Sequence, residues 1–141
     1  MKKWRNKIVP FLLLTGITSH AQKQETVTNY ISQYKEIAIA EMKRTGVPAA
    51  ITLAQGIHES GAGQSKLVLA SNNHFGIKCK SNWTGESVKH DDDARGECFR
   101  KYPAAEDSYK DHSDFLKNGQ RYAFPFSLDP TDYEGWANGL K

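Results

Sequence analysis

Apolar residues recur at three- and four-residue steps along Ile31, Tyr34, Ala38 and Met42, which predicts an amphipathic helix. Thr28 or Asn29 stands at its cap position and Gly46 at its exit. Pro48 is placed to open a second helix, with Ile51, Ala54, Ile57 and His58 as its inward stripe. Ser60-Gly61-Ala62-Gly63 ends that helix, and a short third helix is expected over 65–70. From Asn72 to Tyr102 the period changes. Phe75, Ile77 and Cys79 alternate, as do Cys98, Arg100 and Tyr102, with turn residues at Asn82, Gly85 and Arg95-Gly96. This reads as a small antiparallel β element. Helical spacing returns at Ala105, Tyr109, His112, Phe115 and Leu116. A last pattern starts near Thr131, includes Trp136 and Leu140, and is still running at Lys141, so the sequence reads as a fragment. The order predicts an α+β fold: a mainly helical lobe, a small antiparallel β-hairpin lobe, and a groove between them.

The first 21 residues read differently. Lys2, Lys3, Arg5 and Lys7 precede an apolar run over 8–17, and Ser19-His20-Ala21 is a small-x-small site. That is the pattern of a secretory signal peptide. The apolar run is too short to span a bilayer, which needs about 20 residues. The polar stretch 22–28 is expected as a linker, and 29–141 as the domain. Export places the chain in the periplasm, the envelope or the medium. It also changes the charge picture. The chain carries 19 Lys+Arg against 16 Asp+Glu. Four of those cations belong to the signal segment, so the mature chain is nearly neutral. Its pI near 8.8 is therefore no sign of a nucleic-acid or anionic-lipid partner. An exported Cys79 and Cys98, one on each arm of the β element, are expected to pair; two free buried thiols are the alternative.

His58-Glu59-Ser60-Gly61 is the stretch richest in chemistry. It suggests the zinc motif H-E-x-x-H, but that motif requires a second His where Ala62 stands. Without that second imidazole the zinc reading fails. Glu59 has another use. The last turn of a helix disfavours negative charge, and partial burial would act the same way. A carboxylic acid kept protonated there can protonate a glycosidic oxygen.

The residues around Glu59 resemble the N-acetylglucosaminidase domains of glycoside hydrolase family 73, relatives of bacterial autolysins. The resemblance runs from about Tyr30 to the end. Its strongest blocks are Ala54 through Ser65 and Asn72-Asn73-His74-Phe75-Gly76-Ile77-Lys78, supported by Phe99-Arg100-Lys101-Tyr102 and Arg121-Tyr122. The resemblance implies a lysozyme-like fold and hydrolysis of the β-1,4 bond between N-acetylglucosamine and N-acetylmuramic acid, with Glu59 as general acid. Two departures are visible: Ala62 stands where the family usually has an aromatic residue, and the chain ends before the family's Tyr-Ala-Thr-type motif.

The resemblance also implies a second acid in the hairpin. Asp91-Asp92-Asp93 supplies candidates, with Asp92 nearest by position and its neighbours as fallback. Three adjacent acids lack the spacing of a calcium loop. Asn72 and Asn73 are candidate partners of sugar acetamido groups, and Phe75, Trp83 and Tyr122 offer flat faces for sugar rings. No metal or organic cofactor is called for. The expected partner is the peptidoglycan glycan strand, met by a monomer that does not stay inserted in the membrane. A muramidase or lytic transglycosylase on the same fold, and a non-catalytic wall-binding module, are the competing functions.

Overall fold

The computed structural model describes residues 15–141, and their side chains from Ser19 onward. The basic n-region and most of the apolar run of the expected signal peptide lie outside the described residues. Helix α1 spans Thr15–Thr45. It passes through the stretch 22–28 expected as a linker, so that stretch is helical. No proline interrupts it, and Thr28 is not a cap. The Thr26 and Thr28 hydroxyls donate to the carbonyls of Gln22 and Gln24, four residues back, as helix-interior threonines do. The helix ends where expected: Gly46 takes φ +89° and its N–H donates to Met42 O at 2.8 Å.

Helix α2 spans Ala49–Ser60, α3 Lys66–Ser71, α4 Ala105–Asn118 and α5 Tyr133–Gly139. Pro48 is the residue before α2 rather than its first, and Ser65 caps α3 by accepting from Val68 N. Two short 3-10 turns, Gln120–Tyr122 and Phe124–Ser127, join α4 to α5. Helix α5 closes at Gly139, short of the continuation that its pattern suggested. No helix among the described residues is long and apolar enough to cross a membrane.

The β element is smaller than its pattern. Strand β1, Ser87–His90, pairs antiparallel with β2, Glu97–Arg100, with Val88 opposite Phe99. The alternating Phe75–Cys79 stretch is not a strand. It makes one bridge, Lys78 to Phe99, and otherwise follows side-chain hydrogen bonds from Asn73. Residues 91–93 lie in the loop between the strands, so strand alternation does not govern where these acids point. Cys79 and Cys98 form the disulfide expected, with Cα atoms 5.4 Å apart.

Two apolar clusters hold the helices. Val47, Ile51, Leu116 and Trp136 form one, Ala38, Phe75 and Tyr109 the other. The stripe expected on α1 holds at Ala38, 0% exposed, with Tyr34 packed beside it, and differs at its start, whereas that of α2 is rotated. On α1, Tyr30 is 3% exposed while its neighbour Ile31 is 39% exposed. On α2, Thr52, Gly56 and Ser60 are buried with Ile51, whereas Ala54 and His58 face outward. Small residues four apart let α1 pack close. A Cβ on Gly56 would lie 2.5 Å from the Tyr30 hydroxyl, so glycine makes the crossing possible.

Candidate active site

Glu59 sits in the last turn of α2 because the chain must leave the helix directly after it. Gly61 takes the left-handed conformation and its N–H donates to Ile57 O. Ser60 fixes this exit. Its hydroxyl donates to Gly56 O at 2.5 Å and accepts from Gly63 N at 2.8 Å. Ser60 is 1% exposed, so the Ser of the Glu-Ser-Gly stretch is a staple that aims its neighbour. The Glu59 side chain is about half exposed. His58 Nδ1 lies 3.5 Å from it.

Glu59 borders a groove of about 650 Å³ between the helices and the 75–82 segment. Gly76 faces it across the wall: a Cβ there would come 3.8 Å from Glu59 Oε2. Phe75 lines the groove and stacks flat on His112, centroids 3.9 Å apart. His112 Nε2 donates to Gln55 Oε1 at 3.0 Å, which assigns the proton to Nε2 because a carbonyl oxygen only accepts. Gln55 lies one helical turn before Glu59 and lines the same wall. Burial holds the His112 imidazole neutral, pushing its pKa down to about 4. Behind this wall His74 is likewise lowered to about 4 by burial. Its Nδ1 is 2.8 Å from the Tyr30 hydroxyl, which is 2.9 Å from that of Tyr109.

Several expected site residues are elsewhere. Asn73 is 1% exposed; its amide donates to Ile77 O and Arg100 O, and its Oδ1 accepts from Ile77 N. It ties the 73–77 segment to β2 and has no group left for a sugar. Asn72 caps α3 in the left-handed conformation, and its amide donates to Tyr102 O and Pro103 O. Asn73 is therefore structural, and the Asn72 amide N–H groups are spent on the backbone. Trp83 is not among the groove's lining. It lies over the Arg100 guanidinium, 4.6 Å from ring centroid to Cζ, beside Tyr102. Phe75 and Tyr122 do line the groove.

Asp92 does not line it. Its carboxylate is 3.6 Å from Lys78 Nζ, which also bonds Asp93 and Glu97 at 3.0 and 2.9 Å. Asp92, Asp93 and Glu97 converge as metal ligands would, yet the Lys78 ammonium already occupies that focus. Lys78 in turn holds Glu97 below the usual carboxylate range. Asp91 accepts from Gly96 N and shapes the loop. The other groove-lining acids are engaged. Asp111 binds Arg100 Nη1 at 2.8 Å and accepts from the Tyr102 hydroxyl, and Asp114 pairs with Arg44 at 2.6 Å. The sequence reading missed Gln55, His112, Phe115 and the Arg100–Asp111 pair. Gln55 was open to detection, four residues before Glu59 on one helix face.

Residues 35–141 match the family described as mannosyl-glycoprotein endo-β-N-acetylglucosaminidase. The chain belongs to this glucosaminidase family of glycoside hydrolases. Among relatives, it is 33% identical to the peptidoglycan hydrolase FlgJ of Vibrio parahaemolyticus over 74% of this chain and 38% of that one. It is 30% identical to FlgJ of Vibrio cholerae, over 67% and 31%. The glucosaminidase chain thus spans about a third of the length of these curated relatives. A peptidoglycan hydrolase from Sphingomonas sp. A1 superimposes with a TM-score of 0.70 at 31% identity, over 79% of this chain and 74% of that one. The glycoside hydrolase domain of Salmonella typhimurium FlgJ gives 0.68 at 26%, over 81% and 74%. The lysozyme-like α+β arrangement that the resemblance implied is the fold of this chain.

Proposed function

We propose that this glucosaminidase domain acts outside the cytoplasm on peptidoglycan, cutting the β-1,4 bond between N-acetylglucosamine and N-acetylmuramic acid. One observation carries the reading. Among the described residues, Glu59 is the one groove-lining carboxylate not tied to a lysine or arginine. It stands at an open groove whose wall holds neutral, aromatic and amide groups suited to sugars. Glu59 donates its proton to the glycosidic oxygen as the bond from C1 to that oxygen breaks, and the positive charge develops on the ring. A paired Asp111 or Asp114 is poorly placed to serve as nucleophile, and Asp92 lies off the groove. The arrangement favours attack on C1 by the carbonyl oxygen of the substrate's own 2-acetamido group. Water then opens the cyclic intermediate, with Glu59 taking a proton from it. Relatives that are peptidoglycan hydrolases support the substrate.

The same single free acid also suits a lytic transglycosylase, which needs no base to activate water. Digestion of purified peptidoglycan followed by mass analysis decides between them. The proposed reaction leaves reducing N-acetylglucosamine ends; anhydro-muramoyl ends would mean the transglycosylase, and reducing muramic ends a muramidase. Glu59→Gln should lower turnover by about 10³-fold with an unchanged melting temperature. Muropeptide release at the wild-type rate by that variant would remove Glu59 from the mechanism. Binding to wall without any soluble product from the wild type would mean a non-catalytic module.

A further inference from the structure

Six charged side chains line the groove: Glu59, Lys78, Lys80, Arg100, Asp111 and Asp114. Four are neutralised by close partners. Lys78 is held by Asp93 and Glu97, Arg100 by Asp111, and Asp114 by Arg44. Among the described residues this leaves Glu59 and Lys80. Glu59 has its chemical role. Lys80 is an ammonium facing a groove with no carboxylate beside it.

The backbone holds Lys80 in an unusual way. Its φ is +37°, in the left-handed region, where a residue with a Cβ carries a strain of about 1–2 kcal/mol. Its carbonyl accepts from Trp83 N at 3.3 Å, closing a turn directly after the disulfide cysteine Cys79. The ammonium lies 5.1 Å from the centroid of Phe115 on α4. Phe115 is 48% exposed, and its ring centroid is 5.4 Å from that of Tyr122. Both rings line the groove. A pair of groove aromatics therefore carries a cation over one of its rings. The apolar face of a pyranose packs on such rings, and the ammonium above Phe115 complements a carboxylate.

We propose that Phe115, Tyr122 and Lys80 form a subsite for a sugar bearing a carboxylate-containing substituent. The proposal deepens the hydrolase reading and rests on it for the identity of the glycan. In peptidoglycan the carboxylate has two sources. One is the stem peptide; the other is the lactyl ether once that peptide has been removed. A neutral glycan offers neither.

Binding is measured in a Glu59→Gln background, which holds glycan without cutting it. Three solubilised ligands separate the sources: peptide-bearing strands, amidase-stripped strands with free lactyl carboxylates, and stripped strands with those carboxylates converted to neutral amides. At least one acidic ligand should bind about fivefold more tightly than the neutral one, the size of a single partly exposed ion pair. Adding Lys80→Gln should abolish that preference, and Lys80→Arg should keep it. Added salt should weaken the acidic ligand for Lys80 and much less for Lys80→Gln. Whichever acidic ligand is preferred identifies the carboxylate. Equal or absent binding of all three, or a preference that survives Lys80→Gln in a variant that melts normally, overturns the subsite. Cleavage by the wild type is scored separately, so failure of the hydrolase reading is distinguishable from failure of this one.

Discussion

The helical lobe and the hairpin lobe are held together by different forces. The helical lobe buries large side chains around Tyr109 and Trp136, which are 0% and 1% exposed. Some of its polar groups pair inside it, Tyr30 with His74 and Tyr109, and His112 with Gln55, while the Thr52 and Ser113 hydroxyls and the Trp136 indole N–H are buried without a partner. The hairpin has two strands of four residues and one buried apolar residue, Phe99. A two-stranded hairpin of that size is marginal alone. It relies on the Cys79–Cys98 disulfide, on Asn73, which ties it to 73–77, and on the cluster around Lys78. Packing and the Ser60 hydrogen bonds position the end of α2 that carries Glu59. Covalent and ionic ties hold the opposite wall, which carries Lys80.

The largest test of the comparison is Tyr109→Ala. It empties the centre of the helical lobe and strips Tyr30 of a partner, and should cost about 4 kcal/mol, seen as a lower denaturant midpoint for the whole domain. A loss confined to the hairpin would break the comparison. Next is Cys79→Ser with Cys98→Ser. Freeing a loop of separation 19 should cost about 3 kcal/mol in the chain-entropy account. Amide exchange should quicken first over 79–100, while the amides of α2 keep their protection. Equal quickening in both lobes would mean that they melt as one unit.

Acid should separate the lobes more gently. His74 and His112 have pKa values lowered by burial to about 4, against about 6.5 when unfolded. The unfolded chain therefore binds more protons between those values. The histidine contribution is complete above about pH 7 and is lost as pH falls toward 4, by up to about 3 kcal/mol for each histidine. Glu97 has the opposite chemistry but the same direction. Its carboxylate is favoured by Lys78, so its contribution is present above the ordinary carboxylate range and fades below it. A melting temperature that declines from pH 6.5, and a flatter decline in His112→Gln, would sharpen this division. A curve level down to pH 5 would contradict it.

Much of the helical architecture was legible because periodicity is local. The ends of α1 and α2 followed from Gly46 and Gly61, residues that allow the left-handed exit. The disulfide followed from the expectation of a hairpin in an exported chain. What failed were statements about faces. Ile31 and Tyr30 differ by one position, and only the partner decides which is buried. Here Tyr30 wins because Gly56 opens a gap on α2 for its hydroxyl. The helical start of α1 was missed because polar residues form helix as readily as loop when no proline intervenes.

The sequence by itself determined the family and the order of elements, and it singled out Glu59 as the candidate acid. Glu59 could be singled out as a candidate because a glutamate before a forced helix exit, within ordered blocks of family residues, is a local pattern. Tertiary structure decided everything that depends on a partner far along the chain. Asn72 and Asn73 look like sugar ligands until Tyr102 and Arg100 take their amides. Asp92 looks like the second acid until the fold sets it beside Lys78 and outside the groove lining. Lys80 and Phe115 look ordinary until folding sets one over the other. Charge and hydrogen-bonding capacity are written in the residue, but whether either is already spent is settled only by what the fold brings within reach.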